Sequence, residues 1–254
     1  MKLTFWGTGT STGVPMVGCD CAVCRSSDPR NRRRRASVLL ETDGHHWLID
    51  AGPDFRIQAL EARLGDLDGV FLTHAHADHI LGLDDLRPLS WKKTVPVWAD
   101  ARTTSHVRAA FPYFFEEGDG KTSRPRLDFR EIRPDVPIEV PGLRVRPVPV
   151  HHGDATILGF RVGRLAYLTD CNGIPATSLP LLEDLDILIL GALRPRPHPT
   201  HFSLDEAVAM AAKVGARRTY FTHFSHEVDH SVWAATLAEG LFPAYDGLVL
   251  EFEA

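Results

Sequence analysis

Phe71-Leu72-Thr73-His74-Ala75-His76-Ala77-Asp78-His79 reads H-x-H-x-D-H directly behind a short apolar run, Val70 to Leu72, of the kind that forms a buried strand. Three imidazoles and a carboxylate packed this tightly fit neither a hydrophobic core nor an ordinary surface loop. Neutral imidazole and ionised carboxylate are the usual ligands of borderline first-row metals. Alternation at a strand end aims His74 and His76 into one pocket, and the Asp78-His79 pair can serve a second ion there. The stretch points to a metal-dependent hydrolase with room for two metals.

The surrounding chain has 254 residues, 44% hydrophobic and 24% charged, which suits one large α/β layered domain with a substantial core. A net charge of -5 argues against a broad nucleic-acid footprint, with Arg32-Arg33-Arg34-Arg35 as the local exception. No apolar run approaches a membrane span. The N-terminus breaks into glycines at Gly7, too early for a secretory signal, so a cytoplasmic location is the default expectation. Three of the four cysteines crowd into Cys19-Asp20-Cys21-Ala22-Val23-Cys24. Without an export signal, that spacing favours thiolate metal binding over disulfides. Cys171 stands alone.

Working outward, Leu3 to Trp6 reads as a strand ending in the glycine-rich Gly7 to Gly13. That segment lacks the Lys-Ser/Thr of a phosphate loop and no helical pattern follows it, so a close backbone turn beside the active site is expected. Residues 37–41 and 46–49 form a hairpin through Asp43-Gly44. A short helix is expected over 57–64, a helical segment from Ile80 stopping near Pro88, and strands over 95–98, 143–150, 157–162, 165–169, 185–190, 219–222 and 248–252. The continuous apolar run 185–190 suits a central strand covered on both faces. Ser203 and Glu206 form a capping box for a helix over 204–214 that Gly215 closes. Residues 101–135 are the least legible part. Phe111 to Phe115 could be core, a substrate lid or a subunit contact, followed by an acidic, glycine-containing loop.

Asp50, His74, His152, Asp170 and His223 each sit at the C-terminal end of an expected strand. With the H-x-H-x-D-H block, this order resembles the metallo-β-lactamase superfamily over essentially the whole chain. The resemblance implies a four-layer αββα sandwich of two mixed β-sheets flanked by helices, in a single domain of residues 1–254. It implies one metal on His74, His76 and His152, a second on Asp78, His79 and His223, Asp170 bridging both, and Asp50 orienting the histidine loop from behind. Parity along the strand leaves His151 and His152 open; the family's histidine is commonly followed by glycine, which selects His152.

Gly13-Val14-Pro15 ahead of the cysteines, Gly82-Leu83-Asp84-Asp85-Leu86-Arg87, and Thr222-His223-Phe224-Ser225-His226 narrow the likeness to PhnP-type phosphodiesterases. In these, three cysteines and a histidine hold a structural zinc, which implies Cys19, Cys21, Cys24 and His226 here, in a loop over about 13–35. A closed tetrahedral shell leaves no position for water. The resemblance also implies His201 near the scissile phosphate, as donor to an oxyanion or leaving alkoxide, with His198 a weaker candidate and Asp78 the second catalytic candidate. His45, His46, His106 and His230 lack supporting neighbours and read as surface or ordinary core residues.

The expected activity is hydrolysis of a small or cyclic phosphodiester, similar to phosphoribosyl 1,2-cyclic phosphate, by water activated between two zinc or manganese ions. Arg32 to Arg35 are candidates for gripping a terminal phosphate. An RNase Z-like endonuclease would need a basic arm that nothing here supplies. A non-hydrolytic PqqB-like binder would have a degraded histidine block, whereas this block is intact. The expected partner is a small phosphodiester rather than a membrane or nucleic acid, with a homodimer left open.

Overall fold

The computed structural model describes residues 1–116, 123–134 and 136–253. Its first half runs β1 (Lys2–Gly7), β2 (Ser37–Thr42), β3 (His45–Ile49), α1 (Phe55–Glu61), β4 (Gly69–Phe71), α2 (Ala77–Ile80), α3 (Arg87–Ser90), β5 (Val95–Ala99), α4 (Ala101–Ala110) and β6 (Leu127–Glu131). The second half runs β7 (Ile138–Val140), β8 (Leu143–His152), β9 (Ala155–Val162), β10 (Leu165–Leu168), β11 (Ile187–Gly191), α5 (Leu204–Val214), β12 (Arg218–Thr222), α6 (His230–Ala234), β13 (Leu241–Pro243) and β14 (Val249–Glu251). These strands form two seven-stranded sheets, ordered β14-β1-β2-β3-β4-β5-β6 and β13-β12-β11-β10-β9-β8-β7. Each is mixed in the same way. An antiparallel meander, β1-β2-β3 or β7-β8-β9-β10, passes into parallel strands joined by crossovers.

Side-chain alternation along the strands creates the layers. Phe5, Leu40, Trp47 and Phe71 of the first sheet meet Val145, Phe160, Tyr167 and Ile189 of the second in a core between the sheets. The opposite faces each pack on helices. Leu188 and Leu190 lie against Leu204, Ala207 and Ala211 of α5, while Leu48, Val70 and Val97 lie against Phe55 of α1 and Val107 of α4. The result is the expected αββα sandwich. No helix among the described residues is long and apolar enough to cross a membrane.

Local chemistry explains several elements. Asp43 and Gly44 both take positive φ, 49° and 80°, as a tight turn matched to strand twist requires. At α5 the Ser203 side chain accepts from Glu206 N while Glu206 accepts from Ser203 N at 2.8 Å. The helix closes at Gly215, at φ 71°.

Other expectations are corrected. The first helix occupies Phe55–Glu61 rather than 57–64. No helix stops at Pro88, because proline lacks only an N–H that a first turn leaves unbonded, and Pro88 sits in the first turn of α3, after Arg87. Phe111 is buried in the outer core and stacks on Phe114 at 4.6 Å. The acidic, glycine-containing loop expected after Phe115 falls at 117–122, outside the described residues.

The C-terminal turn is tied to β1 through Asp246, which accepts from Thr8 Oγ1 at 2.7 Å and Arg34 N at 2.8 Å. Burial outweighs these donors and raises its carboxyl to about 6. The native state therefore takes up this proton before the unfolded chain does, and stability from this group falls as pH rises from about 4 to about 6. Asp246→Asn is expected to gain on the wild type by about 1–2 kcal/mol between pH 4.5 and 7, read by denaturant unfolding at both pH values. A pH-independent difference would contradict the assignment.

Candidate metal centre

Asp50 follows β3, His74 follows β4, His152 ends β8, Asp170 follows β10 and His223 follows β12. Asp50, Asp170 and His223 hold φ of 63°, 54° and 65°. A non-glycine residue in this left-handed region costs on the order of 1–3 kcal/mol, and such positions concentrate at functional sites. The turns let each chain end its strand and aim a side chain across the rim. Gly52 allows the Asp50 loop to close on the histidine block, since a Cβ there would lie 2.0 Å from Asp78 O.

Three overlapping groups of side chains meet on this rim, the third being His152, Asp170 and His201. His74, His76 and His152 have ligand atoms within 4.8 Å of one another, as do Asp78, His79, Asp170 and His223. Asp170 joins the groups: its Oδ2 is 3.8 Å from His74 Nε2 and 3.3 Å from His79 Nε2, and its Oδ1 is 3.1 Å from His223 Nε2. Thr169 Oγ1 donates to Asp170 at 2.6 Å. His152 is buried and His151 exposed, and it is His152 that joins the cluster. His76 is the exposed member and opens the site to solvent.

The hydrogen bonds behind the histidines select their tautomers. Asp50 Oδ2 accepts from His79 Nδ1 at 2.7 Å and from Thr73 Oγ1 at 2.8 Å, and Thr73 Oγ1 in turn accepts from His74 Nδ1 at 3.0 Å. His152 Nδ1 donates to Thr200 O at 2.9 Å. With Nδ1 carrying the proton, each Nε2 lone pair faces the centre. His74 Nε2, His79 Nε2, His223 Nε2 and Asp78 Oδ2 are buried without a hydrogen-bond partner. Buried polar atoms are normally satisfied, and buried Asp78 and Asp170, held ionised by the histidines around them, need compensating positive charge. A divalent cation in each group fits both demands.

The electrostatics divide the site. Burial, then His79, pushes His74 well below the usual imidazole range, and burial pushes His76 down too. Burial also works against charge on His79 and His223, yet Asp170 and the neighbouring carboxylates outweigh it, raising His79 well above its ordinary value and His223 to about 9. Asp170 stays ionised despite burial because His223 and His79 face it. Protons on these imidazoles must leave when a cation binds. Asp50→Asn keeps the shape but weakens the carboxylate behind His79 and Thr73. It is expected to reduce metal affinity or activity about 10–100-fold, measured by chelator competition; unchanged affinity would contradict that role.

His201 is half-buried at the edge of the centre, its ring 4.8 Å from His152 and stacked 5.0 Å from His223. Phe202 N donates to Cys171 O at 2.8 Å, and Asn172 Nδ2 donates to Pro199 O at 2.8 Å. These bonds moor the His201 loop to the turn carrying Asp170. Burial, then His223, pushes His201 down to about 3. His198 touches His201 at 5.0 Å and bonds Thr200 instead of the centre. Thr73, Asn172 and Thr200 escaped the sequence reading. Thr73 had one signal, its place beside His74; the other two had none.

None of the four cysteines is in a disulfide. Cys19, Cys21, Cys24 and His226 converge, with His226 Nδ1 3.3 Å from Cys19 Sγ and 3.4 Å from Cys21 Sγ. Cys24 N donates to Cys21 Sγ, and with His226 it draws that thiol down to about 6, favouring thiolate. A soft cation fits this donor set. The turn that leads into this loop packs on the His223 segment through Thr10 N to Phe224 O at 3.0 Å and Phe224 N to Thr8 O at 2.8 Å.

The arginine run is corrected. Arg33 is buried, donates to Ser225 O and Asn31 Oδ1, and lies over Phe224. Arg34 pairs with Glu61 and Arg35 with Asp54. Arg32 is exposed, so three of the four are committed to holding the fold together.

A family model described as the beta-lactamase superfamily domain matches residues 45–224. The octanoyltransferase of Porphyromonas gingivalis is 39% identical over 251 residues, covering 98% of this chain and 51% of that protein, so the chain spans about half that relative's length. Ribonuclease Z of Mycobacterium sp. (strain KMS) is 27% identical over 249 residues, covering 82% of this chain and 86% of that protein. Among solved structures, a diphosphatase from the PhnP family is 46% identical with a TM-score of 0.93, over 99% of this chain and 96% of that one.

Proposed function

Because this chain belongs to the beta-lactamase superfamily, we propose that it is a metal-dependent phosphoesterase that hydrolyses a small phosphodiester or diphosphate, a cyclic phosphodiester foremost. The observation that carries the reading is the joining of two candidate ligand groups through Asp170, with the imidazole Nε2 atoms of His74, His79 and His223 buried without a hydrogen-bond partner. Similarity to a PhnP-family diphosphatase supports it.

His74, His76 and His152 would hold one divalent cation and Asp78, His79 and His223 the other, with Asp170 between them. When bound, such a pair, zinc or manganese, supplies charge neutralisation for phosphate oxygens and acidity for a water. The chain's own groups do the rest. Asp50, Thr73 and Thr200 keep the Nε2 atoms turned inward. Asp78, ionised because His79 and His223 outweigh its burial, is the acceptor for a proton from the attacking water. His201, a neutral imidazole at physiological pH, donates an N–H to the oxygen on which charge develops. Cys19, Cys21, Cys24 and His226 would close a tetrahedral shell around a structural zinc, tying the N-terminal loop to the loop that presents His223.

The test is metal analysis together with a substrate panel of bis-p-nitrophenyl phosphate, ribose cyclic phosphates, pyrophosphate and an octanoyl thioester. About three ions per chain with turnover of a phosphate ester or anhydride is the expected outcome. The thioester belongs in the panel because an octanoyltransferase matches 98% of this chain with about half of its own length, and the same centre would activate water toward a carbonyl. Turnover of the thioester alone would replace the phosphoesterase reading. One ion and no turnover would favour a binding protein, and salt-dependent cleavage of precursor tRNA would favour a nuclease.

A further inference from the structure

We infer that Asn172 is a positioning residue that sets where His201 presents its N–H, by tying the loop of His201 to the turn that follows His152. This rests on His201 acting as a donor in the proposed reaction and deepens that reading. Residues 192–203, between β11 and α5, carry His201 in a stretch that also contains Pro195, Pro197 and Pro199. Proline has no backbone N–H to bond with, so the loop cannot hold its shape through neighbouring amides. Its base closes through Leu193 N to Phe202 O at 2.9 Å and Leu204 N to Arg194 O at 3.0 Å. The part that presents His201 is held from outside.

The Asn172 amide uses both of its ends. Its Oδ1 accepts from Gly153 N at 3.0 Å, and its Nδ2 donates to Pro199 O at 2.8 Å. A backbone N–H can only donate and a carbonyl can only accept, so one orientation of the amide satisfies both, and an aspartate could not. Gly153 follows His152 and Pro199 stands two residues before His201, so one side chain spans both segments. Asn172 is itself anchored beside β8: its N donates to His151 O at 2.9 Å, and His151 N donates to Gly173 O at 2.9 Å. The two segments also touch directly. Gly153 holds φ 60°, a Cβ there would lie 2.9 Å from Thr200 Cγ2, and His152 Nδ1 donates to Thr200 O at 2.9 Å. The His201 ring stacks on His223 and makes no hydrogen bond among the described residues, so its aim depends on the backbone that carries it. Misplacing a reacting group by about 1 Å costs on the order of 10²-fold in rate. A tether that joins the donor's loop to a ligand's turn controls that distance.

The test is a double-mutant cycle of Asn172→Ala and His201→Ala, run with metal analysis on whichever ester, anhydride or thioester of the panel turns over. Asn172→Ala is expected to lower kcat about 10–100-fold, with KM and metal content unchanged. In the His201→Ala background the same change should cost less than about threefold, because a residue that acts through His201 then has nothing left to aim. Asn172→Asp, which keeps an acceptor for Gly153 N and loses the donor to Pro199 O, should fall with alanine. Equal losses in both backgrounds, full activity in Asn172→Ala or Asn172→Asp, or unchanged turnover in His201→Ala would each overturn the assignment. Hydrogen exchange on the metal-loaded protein reads the tether without a substrate: the Phe202 amide should exchange about three- to tenfold faster in Asn172→Ala, with the amide of His152 unchanged. If no phosphate compound turns over, the phosphoesterase reading fails; faster exchange at Phe202 then upholds the tether, and unchanged exchange overturns it.

Discussion

Replacing His201 with alanine is expected to lower kcat about 10²–10³-fold, the usual loss when one preorganised donor to a developing oxyanion is removed, while metal content is retained. The expectation follows from the position of His201. Its ring lies against His152 and His223 without sharing the hydrogen bonds behind the ligand histidines, so its removal leaves both ligand groups whole. Its loop is held by bonds from Phe202 and Asn172 that do not involve the side chain. Because burial keeps the imidazole neutral, its work is to offer an N–H rather than to carry a charge. His201→Gln, which keeps an N–H donor, should therefore recover part of the loss, and a glutamine variant as inactive as alanine would mean that His201 transfers a proton. Unchanged turnover in His201→Ala, with steady-state kinetics and metal analysis done on the same preparation, would remove His201 from the mechanism.

The larger effect is expected from Asp170→Ala: loss of the paired cations and a drop in turnover on the order of 10³-fold or more, beyond the range for groups that only support ligands. Among the described residues, Asp170 is the one carboxylate within 3.8 Å of imidazole nitrogens of His74, His79 and His223 together. Without it the two groups of ligands have no shared atom, and two imidazoles lose the carboxylate that faces them. Breaking a buried ion pair by removing one partner costs about 3–5 kcal/mol, so the metal-free variant should also unfold at lower denaturant than the metal-free wild type. The Cys19, Cys21, Cys24 and His226 cluster is separate, and its metal should remain. Metal analysis that finds both catalytic ions still bound in Asp170→Ala would show that Asp170 does not bridge them.

Much of this protein was legible before its fold was known, and the legible parts share a physical basis. The H-x-H-x-D-H block, the Asp43-Gly44 turn and the Ser203/Glu206 capping box each act over a few residues, so spacing alone carries their chemistry. The strand-end positions of Asp50, His152, Asp170 and His223 were legible because apolar runs mark strands and the residue after each run stands out. The two-sheet sandwich followed from the family resemblance that these motifs carried. The misread parts also share a cause. The reading at Pro88 failed because proline is read as a stop, though it is equally at home in a first turn. The arginine run failed because a guanidinium's partner lies elsewhere in the chain: Arg33 is held by Ser225, and Arg34 by Glu61.

What the sequence by itself determined was the chemistry available: imidazoles, carboxylates and thiolates in ligand spacing, in a chain able to bury a large core. What only the tertiary structure decided was which of these groups meet. His152 rather than His151 faces the centre because of its place in β8 against β9. Thr73 and Thr200 accept from the Nδ1 atoms of His74 and His152 because the rims of the two sheets close on one another. The physical reason is range. Hydrogen bonds and caps within a turn are written in neighbouring residues, while a contact between sheets depends on how two independently folded edges pack, and no local spacing encodes that.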